Sequence, residues 1–341
     1  MNYSLGIDAH KKFSFWTLID KDGKIVFQGK IISRPEAIKE AIEKYLPPST
    51  KAVIEPVESW PWYCQIFEEK NIEIVLAHPL EVKAIAHSKL KHDRIDSLIL
   101  AQLLRSDFLP KAYLSPLEVR NLREILRLRC FLTKLRTQIK NRIHGILAKN
   151  AIFHNFSDLF GKKGIKWLKS LELREPFSKE IQTLLDLLEE INQKIKEINK
   201  TLQKIAKTDK EIEILTSIPG IGYFSALMIK AEIGDFSRFP KASRISSYAG
   251  LVPSSYSSGG KLRFGKITKK GSPYLRWIMV EAAQKVNPSW GKLYEFYQRI
   301  KLKKGTKTAK VALARKMLEI AWTLIKKKEF FKRDFKENKR P

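Results

Sequence analysis

Four acidic side chains sit where a fold could gather them. Asp8 closes the apolar run "YSLGID", Glu55 ends "KAVIE" just before a proline, and Asp93 and Asp96 lie three apart in "KHDRID". An i, i+3 spacing puts two side chains on one helical face. Four carboxylates at one place repel each other unless a cation neutralises them. Oxygen donors without imidazole or thiolate suit Mg²⁺ or Mn²⁺. Two such ions, roughly 3.5–4 Å apart, can activate a nucleophile and stabilise a leaving oxygen at a phosphodiester. Each acid also has a plainer role. Asp93 can cap a helix, Asp96 can sit in its first turn, and Glu55 can be a strand-end surface residue. Asp8 resists such an account because it follows an apolar strand. Together the four point to a metal-dependent nuclease core.

A hydroxyl in the C-terminal half could supply a nucleophile. In "SSYSSGGKLRFGKITKK", Ser258 precedes two glycines, and Lys261, Arg263, Lys266, Lys269, Lys270 and then Arg276 follow. Glycines let a backbone approach a phosphate closely and leave the hydroxyl free. A serine needs a base or a metal to react. No histidine lies in this stretch, so a metal held by the acids would fill that gap. The plainer alternative is a flexible hinge, and Ser254, Ser255 and Ser257 compete with Ser258. Upstream, "SIPGIGYFSALMI" resembles a helix–hairpin–helix element. Pro219, Gly220 and Gly222 form its turn, and the helix that follows presents free amides to a phosphate. A purely structural turn is the alternative.

The elements that must position these groups can be read from pattern. Residues 2–30 carry three strands, with a turn at "DKDG". Helix, strand, short helix, strand and helix follow to about residue 105, which indicates an α/β layer with a mixed sheet. After Pro110 the strand signals stop. A long helix begins at "SPLEVRNLREILRLRC" and carries Arg120, Arg123 and Arg127 among eight cations between Arg120 and Arg142, against one acid. Ile181, Leu184, Leu188, Ile191, Ile195, Ile198, Leu202 and Ile205 then alternate spacings of three and four. This is a coiled-coil seam. It serves either self-association as a dimer or tetramer, or antiparallel packing on a neighbouring helix of the same chain. The expected architecture is an α/β domain (1–110), a basic helix and coiled-coil linker (111–208), a helical C-terminal domain bearing the serine loop (209–328), and a basic tail (329–341).

Charge follows the same division. Residues 1–110 hold 15 Lys and Arg against 15 Asp and Glu, and the remainder holds 50 against 21, which accounts for the whole net charge of +29. A neutral module joined to a strongly basic one suits a polyanionic partner, and nucleic acid is the commonest. No apolar run approaches the roughly 20 residues of a membrane span. The start "MNYSLGIDAH" is unlike a signal peptide. The two cysteines, Cys64 and Cys130, lack metal-binding spacing. A cytoplasmic setting is therefore expected.

The order of acids after a three-stranded start resembles the RuvC-like branch of the ribonuclease H fold. Taken together, "GIDAHKK", "IEP", "KHDRID", "IPGIG" and "YAGLVPSSYSSGGKLRFGKITKKGSPYLR" resemble the DEDD transposases of the insertion-sequence one-ten family, relatives of the Piv-type DNA invertases. The resemblance runs from about residue 3 to 285. It implies that Asp8, Glu55, Asp93 and Asp96 are the tetrad that holds Mg²⁺ (or Mn²⁺), and that Ser258 attacks DNA to form a covalent phosphoserine link. It further implies donor and target DNA as substrates, a structured non-coding (bridge) RNA as guide, and an active site shared between subunits. The run "EPVESWPWY" departs from the family's usual small residue, Thr and Gly after the glutamate, and leaves Glu58 as a rival to Glu55. Two other functions fit the same features: a hydrolytic RuvC-like junction resolvase that uses water, and a catalytically silent nucleic-acid-binding protein.

Overall fold

A computed structural model of the chain describes residues 2–85, 92–258 and 261–332, with the backbone alone at 256–258 and 261–262. The chain divides into two compact units, residues 1–114 and 115–341.

The first unit is a mixed α/β layer. Strands β1 (Tyr3–Ala9), β2 (Phe13–Asp20) and β3 (Ile25–Ile32) form an antiparallel meander. Asp20 closes the second turn by accepting hydrogen bonds from the Asp22 and Lys24 amides. Helix α1 (Pro35–Tyr45), β4 (Thr50–Ile54), α2 (Trp60–Glu69), β5 (Glu73–Ala77), α3 (Pro79–Ile85), α4 (Asp93–Arg105) and β6 (Lys111–Ala112) follow. The sheet order is β3-β2-β1-β4-β5-β6, with β4 parallel to β1 and β5 parallel to β4. The period-2 alternation of β1 assigns its faces. Leu5 and Ile7 enter a core with Ile38, Ile42, Tyr63 and Phe67 of α1 and α2. Gly6 and Asp8 face the other way, toward α4, whose Leu100 and Leu104 pack with Val53 and Ala77 of the sheet.

Gly6 sets how close α4 comes. A Cβ there would lie 2.0 Å from the Ser97 carbonyl oxygen and 2.7 Å from the Ala101 amide nitrogen. Only glycine permits this contact of helix backbone with strand backbone. Beside it, the hydroxyls of Thr17 and Ser97 hydrogen-bond at 2.7 Å, buried between sheet and helix.

The second unit is mostly helical. Helix α5 (Leu117–Lys149) is followed by α6 (Lys162–Lys169), α7 (Phe177–Lys207), α8 (Lys210–Thr216), α9 (Tyr223–Ile233) and α10 (Ala242–Tyr248). Helices α11 (Pro273–Gln284) and α12 (Lys292–Lys327) complete it. Three side-chain pairs run in opposite chain directions along α5 and α7: Arg129 with Asn199, Arg136 with Asn192, and Arg142 with Glu180. The two helices are therefore antiparallel partners within one chain. Ile181, Leu188, Ile195 and Leu202 of the heptad seam are buried in the unit. The far end of the pair has a core of its own, in which Ile143, Ile146 and Leu147 meet Leu159, Leu168, Ile181 and Leu185.

The expectation of an all-helical C-terminal domain requires one correction. Strands β7 (Pro253–Ser258) and β8 (Lys261–Ile267) form an antiparallel hairpin. Ser258 pairs with Lys261. Only Gly259 and Gly260, outside the described residues, separate the strands. In sequence, a Gly-Gly pair between two short runs is a hairpin signal even where the flanks are polar. The end of the expected tail, residues 333–341, also lies outside the described residues. No helix among the described residues is long and apolar enough to cross a membrane.

Candidate active-site residues

Asp8 and Asp93 of the first unit meet at the carboxyl end of β1, while Glu55 and Asp96 fall outside that close group. Ile7 of β1 and Ile54 of β4 are register partners, so Asp8 and Glu55 follow them side by side. Val53 faces α4, and Glu55 follows the last residue of β4, half-buried. Helix α4 begins at Asp93, and its close seat on Gly6 brings its first turn to Asp8. Burial raises the Asp8 carboxyl above its ordinary pKa, His10 opposes that rise, and the charges of Asp93 and Asp96 add to it. The charges of Asp93 and Asp96 thus reach Asp8, while Glu55 follows Ile54, the register partner of Ile7. Glu58 lies on an exposed turn after β4, away from the strand end.

The structure adds a residue that sequence reasoning missed. His10 Nε2 lies 3.2 Å from Asp8 Oδ2 and 3.3 Å from Asp93 Oδ1. Ligand atoms of these three residues lie within 4.8 Å of one another, the spacing of a metal site. The expected donor set was oxygen alone; here an imidazole stands beside two of its carboxylates. The tight β1–β2 turn, closed by the His10 amide on the Phe13 carbonyl, swings the ring back over the strand end. The available signal was a histidine two residues past a strand-end aspartate. The donors fit a divalent cation: two carboxylates and one imidazole, with one carboxyl held above its ordinary pKa by burial and by its acidic neighbours.

In the second unit, Ser258 ends β7 at the hairpin tip, and its side chain and that of Lys261 lie outside the described residues. Arg263, Lys266, Lys269 and Lys270 are exposed along β8 and just beyond it. Arg276 instead turns inward, where Nη1 donates to the Ala249 and Lys269 carbonyls at the hairpin base. The arginines of α5 are engaged inside the unit. Arg123 donates to the Ala231 carbonyl, and Arg127 grips the buried Glu232 carboxylate through Nε and Nη2 at 3.1 and 3.0 Å. Ser272 donates to the other Glu232 oxygen and caps α11. Arg120 is buried. At the expected helix–hairpin–helix turn, Gly220 has φ +84°, and a Cβ there would strike Trp290 and the Ala282 carbonyl. Gly222 precedes α9 and faces open space.

Comparison with known proteins meets this geometry at both ends of the chain. Residues 5–151 match the family model for DEDD transposases of the IS110 type. Residues 212–298 match the model described as transposase of the IS116/IS110/IS902 family. The chain belongs to this transposase family. Among its relatives, the transposase for insertion sequence element IS1111A of Coxiella burnetii is 26% identical over 283 residues, covering 80% of this chain and 76% of the relative. A probable family 20 transposase of Pseudomonas aeruginosa is 23% identical, covering 85% and 87%. The pilin gene-inverting protein of Moraxella bovis is 32% identical over 123 residues, 35% of this chain and 38% of that protein. The transposase thus carries its carboxylates in the segment matched by one model and its serine hairpin in the segment matched by the other.

Proposed function

We propose that the chain cuts and rejoins DNA through Ser258, assisted by a divalent ion held by Asp8, Glu55, Asp93 and Asp96. The observation that carries this is the meeting of Asp8 with the first turn of α4, beside Glu55, in a member of a transposase family. In this account the first unit is a RuvC-like nuclease domain, and Mg²⁺ or Mn²⁺, when bound, polarises the phosphate and stabilises charge on the leaving oxygen. Asp8 and Asp93 hold negative charge at fixed positions. The hairpin carries the serine, and Arg263, Lys266, Lys269 and Lys270 steady the phosphates around it. The Ser258 hydroxyl attacks phosphorus, a P–O bond of the strand breaks, and that strand leaves as a hydroxyl bearing the proton. Reversal on a second strand releases the serine. A structured guide RNA and an active site shared between subunits belong to the same proposal, by family resemblance.

The test is recombination between donor and target plasmids, supplied with the element's flanking RNA. Asp8→Asn and Ser258→Ala should both abolish recombination, and a covalent protein–DNA adduct should vanish with Ser258→Ala. Normal recombination by Ser258→Ala would instead identify the hydrolytic resolvase. Unchanged recombination by both variants would leave a binding protein.

A further inference from the structure

We propose that His10 is a nitrogen ligand of the divalent ion, and that it makes this centre favour Mn²⁺ over Mg²⁺. The inference rests on the metal-centre reading above and adds to it a donor from outside the four acids. The first support is distance. In an octahedral site with bonds near 2.1 Å, neighbouring ligand atoms stand about 3 Å apart. His10 Nε2 lies 3.2 Å from one Asp8 oxygen and 3.3 Å from one Asp93 oxygen. An ion bound to all three needs only a small adjustment of each.

The second support is that the histidine is held in place. Its amide donates to the Phe13 carbonyl at 2.8 Å, and its carbonyl accepts from the Ser33 hydroxyl at 2.9 Å. The Ser33 hydroxyl meets Tyr63 Oη at 3.0 Å, which ties the turn to α2. The imidazole ring also rests on Phe13, with centroids 5.0 Å apart. A ligand on a turn anchored this way loses little further freedom when it binds. The third support is charge. Among the described residues, Asp8 and Asp93 pair with His10 and with no lysine or arginine, so His10 is the side chain that faces both carboxylates.

Donor chemistry then sets the preference. Carboxylates and water suit Mg²⁺ and Mn²⁺ alike, whereas imidazole moves a site toward the transition metals. Mg²⁺ also dehydrates reluctantly and gains little from a nitrogen donor. A mixed Asp–His–Asp set therefore favours Mn²⁺.

The experiment uses the full chain with Mn²⁺ as probe, in wild type, His10→Gln and Asp8→Asn. Electron spin echo spectra of bound Mn²⁺ should show modulation from a directly bonded ¹⁴N in wild type and none in His10→Gln. Mn²⁺ affinity should fall about tenfold or more in His10→Gln, with Mg²⁺ affinity nearly unchanged, while Asp8→Asn should lose both ions. If wild type binds Mn²⁺, Asp8→Asn loses it and no ¹⁴N modulation is seen, the metal centre stands and the role of His10 is overturned. If wild type binds neither ion, the metal centre itself is overturned. His10 is exposed, and the wild-type spectrum alone shows whether nitrogen is bound, whatever the variant does to folding.

Discussion

Asp8 is a carboxyl that the fold holds in an unfavourable place. Its pKa is raised, chiefly by burial, so the folded chain holds its proton more tightly than the unfolded chain does. The sign follows: this group favours folding below the ordinary aspartate pKa, and that contribution is lost as pH rises through the shifted value. A divalent ion bound by these residues, as proposed, would reverse the penalty. Metal-free Asp8→Asn should therefore melt roughly 1–3 °C higher than wild type at pH 7, while recombination drops at least about a hundredfold. The acid limb of wild-type activity should lie above the range of an ordinary aspartate and move down as metal concentration rises. Melting curves and pH–rate profiles with and without Mn²⁺ check both. A lower melting temperature for Asp8→Asn would show that the carboxylate stabilises the fold. The strand end that carries Asp8 and the helix start that carries Asp93 were legible because both are visible as pattern. His10 was not, because a histidine in a turn carries no periodicity and only the turn's closure returns it to the acids.

At the scale of elements, one close contact seats the candidate site. Gly6→Ala would drive a Cβ into the backbone of α4 at Ser97 and Ala101, and neither atom belongs to a flexible side chain. The helix must shift, and Asp93 and Asp96 shift with it. We expect a loss of about 1–3 kcal/mol of stability and roughly a hundredfold in recombination, with weakened Mn²⁺ binding, read by melting and by metal titration. In the second unit, Arg127→Ala would strip the buried Glu232 of its bidentate partner at a cost of about 3 kcal/mol, and lysine should restore only part of it. Unchanged melting with weaker DNA binding would return Arg127 to the nucleic-acid surface. The sequence offered no means of separating the two roles. Arg120, Arg123 and Arg127 lie three and four apart, which is a packing stripe as much as a basic one. The seam of α7 was equally plain as pattern yet silent about its partner, which is α5. The β7–β8 hairpin escaped because its first strand, PSSYSS, is a serine run with one tyrosine and lacks apolar alternation, so the glycine pair was read as a flexible loop.

The whole molecule separates its candidate groups by unit, acids in residues 1–114 and serine in 115–341. If one reaction centre takes its acids from one subunit and its serine from another, Asp8→Asn and Ser258→Ala should complement each other when mixed. Recombination should return to about half of wild type or less, as no third kind of site is active. A mixture as inert as either variant alone would place both halves of the chemistry in one subunit. The hairpin adds a mechanical consequence. Its six-residue first strand carries Ser258 about 17 Å from its root, so a tilt of roughly 10° at the root sweeps the tip through about 3 Å, comparable to the approach distance for attack. The Arg276 guanidinium, bonded to carbonyls on both sides of that root, braces it like the stop of a lever, and if Ser258 is the nucleophile, the accuracy of its delivery is set there, at the far end from the hydroxyl that attacks.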